Sequence, residues 1–75
     1  MKVKSMSEIG KLIKQERKRQ GVLQRDLAEL SGVSGHFLSN LENGKETVEF
    51  KKILQVFRAL GISIQIEPRS RGGEI

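Results

Sequence analysis

Cysteine is absent from all 75 residues, which excludes a disulfide framework and any thiolate metal site. Tryptophan and tyrosine are absent too, so no aromatic platform for stacking single-stranded RNA is visible. The single histidine, His36, has no companion ligand at metal-site spacing. It also lacks a nucleophile and an orienting acid in any recognisable pattern, so catalysis has no support. No apolar run approaches the ~18 residues of a membrane span, and the opening Met-Lys-Val-Lys-Ser-Met-Ser-Glu holds no apolar signal core. The expectation is a soluble cytoplasmic protein that is not an enzyme and carries no cofactor or metal.

What is present makes one small domain. With 36% hydrophobic residues the core is thin, near the lower limit of self-sufficiency, and no cysteine staples it. Oligomerisation is the usual remedy. The net charge is +5, and its placement is uneven. Residues 1–22 carry Lys2, Lys4, Lys11, Lys14, Arg17, Lys18 and Arg19 against Glu8 and Glu16 only. Residues 23–61 hold five bases and five acids, and residues 62–75 two of each. The basic segment is either a solvated face or a flank that attracts phosphate. Lys11, Lys14 and Lys18 share one helix face, with no individual contact assigned to any of them.

Local signals divide the chain into four helices. Ser5 and Glu8 have capping-box spacing, and Ile9, Leu12 and Ile13 mark the buried stripe of a helix that Gly21 ends after Gln20. A second helix spans about 24–31. A third starts at N-cap Ser34 and closes at Asn43 and Gly44. Thr47 is placed to cap a fourth, whose Phe50, Ile53, Leu54, Phe57 and Leu60 recur at helical spacing up to Gly61, with Val48 joining its core. Beyond Gly61 the period changes to two. Ile62, Ile64 and Ile66 alternate with Ser63, Gln65 and Glu67, as in a strand with one buried face, until Pro68 ends it. No other segment offers a partner strand, so the simplest ladder is with the same strand of a second copy, giving a two-fold dimer. The alternative is that these isoleucines extend the core as irregular chain.

Residues 24–43 read QRDLAELSGVSGHFLSNLEN, which has the spacing of a helix-turn-helix. Ala28 is small where a second helix crosses above it, and Gly32 stands where a left-handed backbone is needed. Leu38 and Leu41 lie three apart on one face and pack back onto Leu27 beside Val33. So tight a turn projects the second helix outward, where it can enter a major groove. Residues 34–40 contain no acid, which suits an approach to DNA. Asn40 carries an amide that can pair bidentately with adenine. His36 is either a solvated surface residue or a base or phosphate contact. Phe37 faces the core or DNA, and packing is preferred.

Residues 9–61 resemble the Cro/C1-type helix-turn-helix domain, also called the XRE family. The match runs through Arg17, Gln24, Leu27, Ala28, Gly32, Val33, Ser34, Leu38, Ser39, Leu41, Glu42, Asn43, Gly44 and Lys45. The continuation through a fourth helix into a strand resembles more narrowly the HipB-like antitoxins, in which strands of two subunits pair. The resemblance implies an all-α, lambda repressor-like fold with a C-terminal β-strand. The implied division is an arm at 1–4, the DNA-binding domain at 5–61, a dimerisation strand at 62–67 and a disordered tail at 68–75. It implies base contacts from Ser34, Gly35, His36 and Asn40, and phosphate contacts from Gln24, Ser39, Asn43 and Lys45. Arg17 and Glu42 match an ion pair between the first and third helices. Two residues depart from the pattern. Leu23 replaces the usual capping threonine of the second helix, and Gly35 replaces a long polar reader. The implied function is repression through an inverted-repeat operator, by a homodimer that autoregulates its operon and binds a HipA-like kinase toxin. The alternatives are a stand-alone phage or mobile-element repressor, and a protein-interaction module on a helix-turn-helix scaffold.

Overall fold

A computed structural model of the chain describes residues 5–46 and 49–63. These form α1 (Met6–Arg19), α2 (Gln24–Ser31), α3 (Gly35–Glu42) and α4 (Phe50–Leu60), with no strand among the described residues. Packing joins α1 to α3 and α4, and α2 to α3 and α4. The chain therefore wraps its shared core of Ile13, Leu27, Ala28, Leu38, Leu41, Ile53, Val56, Phe57 and Leu60. Five of these side chains (Ile13, Leu27, Leu38, Leu41 and Val56) are essentially without solvent contact. Each such burial contributes about 1.5–3 kcal/mol, so every helix is held by at least one residue it cannot lose.

Capping sets where the helices begin. Ser5 is extended, and its Oγ accepts from the backbone N–H of Glu8 at 3.3 Å. Ser34 does the same for α3, accepting from Phe37 N–H at 2.9 Å. The ends share one pair of backbone bonds. At α2, Val33 N–H donates to Ala28 O at 3.0 Å and Gly32 N–H to Glu29 O at 3.2 Å. The pair requires a left-handed residue, which Gly32 supplies at φ 75° without a Cβ penalty. The equivalent long bonds are Val22 to Arg17, Lys45 to Asn40 and Ile62 to Phe57. They fold the chain back so that Val22, Val33 and Ile62 pack against the core.

Four expectations change or pass out of view. The fourth helix begins at Phe50 with Glu49 as its N-cap residue and no side-chain cap, two positions beyond the expected cap at Thr47. Thr47 and Val48 lie outside the described residues. Phe50, spaced for the buried stripe, is instead 53% exposed, while Val56 takes a fully buried place on that stripe beside Ile53 and Phe57. Ile62 packs on the core with no strand assigned, and Ile64 and Ile66 lie outside the described residues.

Leu23 offers a direct check on capping. Its backbone (φ −72°, ψ 151°) has N-cap geometry, yet no side chain accepts from the first turn of α2. Because Leu23 is 53% exposed, little apolar burial is lost by replacing it. The substitution Leu23→Thr is expected to stabilise the domain by about 1 kcal/mol. Thermal unfolding should then shift upward by roughly 4–8 °C. A fall in Tm would show that the leucine packs more than its exposure indicates.

Candidate nucleic-acid interface

The outward face of α3 presents His36, Ser39, Asn40 and Asn43, because Leu38, Leu41 and Glu42 occupy the inner face. His36 and Asn43 are exposed, and Ser39 and Asn40 half-exposed. His36 and Asn40 are one helical turn apart and touch, with Asn40 Nδ2 3.2 Å from His36 Nε2. An amide nitrogen only donates, so in this arrangement the ring nitrogen accepts. Asn40 Oδ1 and the second amide hydrogen remain available to a base edge. Gly35 opens the helix, and a Cβ built on it meets nothing within 4 Å. That leaves room for close backbone approach by a ligand. Ser34 is exposed, with its hydroxyl committed to Phe37 N–H as the cap. Phe37 is half-buried against the core, with Lys52 Nζ 5.6 Å from its ring centroid.

Behind this face lies a buried polar cluster. Arg17 Nε donates to Glu42 Oε2 at 2.7 Å and Nη2 to Oε1 at 3.1 Å, a two-pronged pair in which both residues are under 10% exposed. Arg17 Nη1 also donates to the Val22 carbonyl at 2.9 Å, which ties the α1–α2 turn to the same group. Gln24 Nε2 completes the set by donating to Glu42 Oε1 at 3.2 Å. Among the described residues no buried side-chain nitrogen or oxygen is left without a partner. A buried charge pair costs desolvation and is tolerated when its hydrogen bonds are satisfied, as they are here. The consequence reaches the surface. Glu42 fixes the start of α2 relative to the end of α3 and holds the Gln24 amide at the helix N-terminus. One Gln24 amide hydrogen remains for an anion placed there.

Gly10, unremarked in the sequence, makes this arrangement possible. It is buried in α1, and a Cβ there would stand 2.3 Å from the Leu41 carbonyl oxygen and 2.8 Å from that of Glu42. One turn earlier, a Cβ on Gly44 would stand 2.9 Å from Ser7 Cα. Thus α1 and the end of α3 meet backbone to backbone. The available signal was a glycine flanked by Ile9 and Ile13 on the inner stripe, where helix propensity alone disfavours it. The exposed pair of Arg19 and Glu16 belongs to the other side of α1. There the Arg19 guanidinium, helped by Gln20, lowers the Glu16 carboxyl to about 2. Among the described residues there is no group of three or more His, Cys, Asp or Glu able to hold a metal, and no helix long and apolar enough to cross a membrane.

A helix capped by serine, projecting polar side chains after a glycine turn and braced by a buried ion pair, defines a helix-turn-helix domain. The helix-turn-helix family model matches residues 13–66, and the chain belongs to that family, in its Cro/C1 (XRE) branch. A relative, the uncharacterized HTH-type transcriptional regulator y4mF of Sinorhizobium fredii (strain NBRC 101917 / NGR234), is 42% identical over 65 residues, covering 87% of this chain and 86% of that protein. Among solved structures, the fold is similar to a chain of the HipA-HipB-O2-O3 complex, with TM-score 0.80, 22% identity and coverage of 91% and 96%. The clp gene regulator ClgR from C. glutamicum matches with TM-score 0.71, 35% identity and coverage of 83% and 80%. The restriction-modification controller protein C.AhdI from Aeromonas hydrophila matches with TM-score 0.71, 29% identity and coverage of 77% and 88%. Family and fold are those of helix-turn-helix transcriptional regulators.

Proposed function

We propose that the protein is a sequence-specific repressor that binds duplex DNA as a homodimer. The observation that carries this reading is the outward row of α3, where acid-free polar side chains stand clear of the core while Glu42, the one carboxylate of the helix itself, is buried and paired. In this reading Asn40 and His36 read base edges, Gly35 lets the backbone approach, and Ser34 contacts DNA secondarily to its capping role. Gln24, Ser39, Asn43 and Lys45 hold phosphates beside them. Ser39 and Asn43 project on the flank of α3 that also carries Glu42, the flank where Gln24 sits, which supports a common phosphate track. The domain at 5–61 would bind the operator, residues 62–67 would pair two copies, and the arm at 1–4 and tail at 68–75 would flank them. Two α3 helices would then stand about 34 Å apart, demanding an inverted repeat with half-sites one turn apart.

The same reading extends to an antitoxin that represses its own operon and engages a HipA-like kinase toxin in the cytoplasm. Support comes from the likeness to HipB over nearly the whole of both chains. A stand-alone regulator is the second reading, favoured by the higher identity to ClgR and C.AhdI. Co-purification with a kinase encoded beside the gene separates the two. Selection from a random duplex library should return an inverted repeat. On that site Asn40→Ala is expected to weaken binding roughly 5- to 150-fold, the ~1–3 kcal/mol of one bidentate base contact. His36→Ala should weaken it in the same direction. A library that returns no enriched sequence would refute specific recognition. Unchanged affinity in both folded variants would favour the interaction-module alternative.

A further inference from the structure

The three lysines of α1 lie on a particular side of the helix, and it is the side of α3. Gly10 faces the carbonyls of Leu41 and Glu42, and Ser7 faces Gly44. At 3.6 residues per turn, Ser7 is about 60° around the helix from Gly10, and Lys14, Lys18 and Lys11 follow at about 40°, 80° and 100° in the same sense. The core residues Ile13 and Arg17 turn the opposite way, by about 60° and 20°. The lysine row therefore starts on the margin where α1 meets the end of α3 and continues along the exposed side of α1. All three lysines are exposed, and among the described residues none has a side-chain ion-pair or hydrogen-bond partner. The other bases of this helix are already engaged, Arg17 by Glu42 and Arg19 by Glu16. The acids of α1 do not interrupt the row, since Glu8 and Glu16 lie about 160° and 120° from Gly10, beyond either edge of it. Nor does Glu42, which faces inward and is neutralised by Arg17. An exposed basic row that begins beside the end of a reading helix matches a phosphate strand in charge.

We propose that Lys11, Lys14 and Lys18 form a rail that holds the DNA backbone outside the segment touched by α3, so that the footprint extends along α1. The inference rests on the DNA-binding reading above. The rail carries no sequence information. It adds affinity to every duplex and steepens the dependence on salt, while the α3 side chains keep the discrimination. It also gives a role to three of the seven bases in residues 1–22.

The test is the variant Lys11→Gln/Lys14→Gln/Lys18→Gln, titrated by fluorescence anisotropy with a labelled duplex from immediately upstream of the gene and with a scrambled duplex, over a range of salt. Glutamine removes the charge and keeps the helix propensity at exposed positions, and circular dichroism verifies the fold. Each lost phosphate contact reduces the slope of log K against log salt by about 0.9, so the slope should fall by about 2.7. Both duplexes should weaken equally, leaving their ratio unchanged. A folded variant whose slope falls by less than about 0.9 overturns the rail and leaves the DNA reading standing. Failure of the unaltered protein to bind either duplex overturns the DNA reading and the rail together.

Discussion

Replacing Glu42 by alanine is expected to destabilise the domain by about 3–5 kcal/mol, because it leaves the Arg17 guanidinium buried without its counter-charge. The side chain removed accepts three hydrogen bonds, two from Arg17 and one from Gln24. A domain of this size has a total stability of roughly 4–11 kcal/mol, so the loss takes a large share of the whole. Urea unfolding followed by circular dichroism should show the midpoint falling sharply with the slope unchanged. Replacing both partners together by apolar residues, Arg17→Met with Glu42→Leu, should recover much of the loss, since no charge is then stranded. DNA binding should not recover with it, because the Gln24 amide would have lost the acceptor that orients it. A cost below about 1 kcal/mol for Glu42→Ala would mean the pair behaves like an exposed one.

The second large effect is steric. Gly10→Val places a branched side chain where even a methyl group would lie 2.3 Å from a backbone oxygen of α3. The atoms it meets are main chain, held by helical hydrogen bonds, and cannot move aside as a side-chain tip can. The helices must separate, and separation also pulls Arg17 away from Glu42. The expected cost is about 3 kcal/mol or more, at the upper end of overpacking effects. Exchanging glycine for a better helix former returns less than about 1 kcal/mol, so the clash decides the sign. Differential scanning calorimetry should show a Tm at least about 12 °C lower. A Tm that rose would mean α1 and α3 are further apart than described.

Much of this fold is legible along the chain because its boundaries are chemical. Ser5 and Ser34 cap the helices they precede, and Gly21, Gly32, Gly44 and Gly61 follow the helices they end. The apolar spacing identified Leu27, Leu38 and Leu41 as one cluster, and all three are buried. Phe50 shows where spacing misleads. A residue in the first turn of a helix can keep the period and still stand clear of the core. Thr47 illustrates a related difficulty, since a capping residue signals only where a helix is able to start.

The candidate site was less legible, for a physical reason. The ion pair joins residues 25 apart in sequence, and periodicity could not choose Arg17 over Glu16 as the inward residue. Only the family resemblance singled out the pair. Gly10 carries little signal in the sequence because its value lies in what another helix brings to it. The Gln24–Glu42 bond was hidden likewise, whereas the His36–Asn40 contact follows from one-turn spacing and was open to prediction. The placement of the lysine row needed the packing of α1 on α3 before it acquired a direction.

The central claim is that α3 reads a duplex of defined sequence. Anisotropy with a labelled duplex from immediately upstream of the gene, set against a scrambled duplex at two salt concentrations, tests it most directly. The expected result is a preference for the upstream duplex that persists at the higher salt, since base contacts discriminate where phosphate attraction is screened. Equal binding to both duplexes, vanishing together as salt rises, would contradict it.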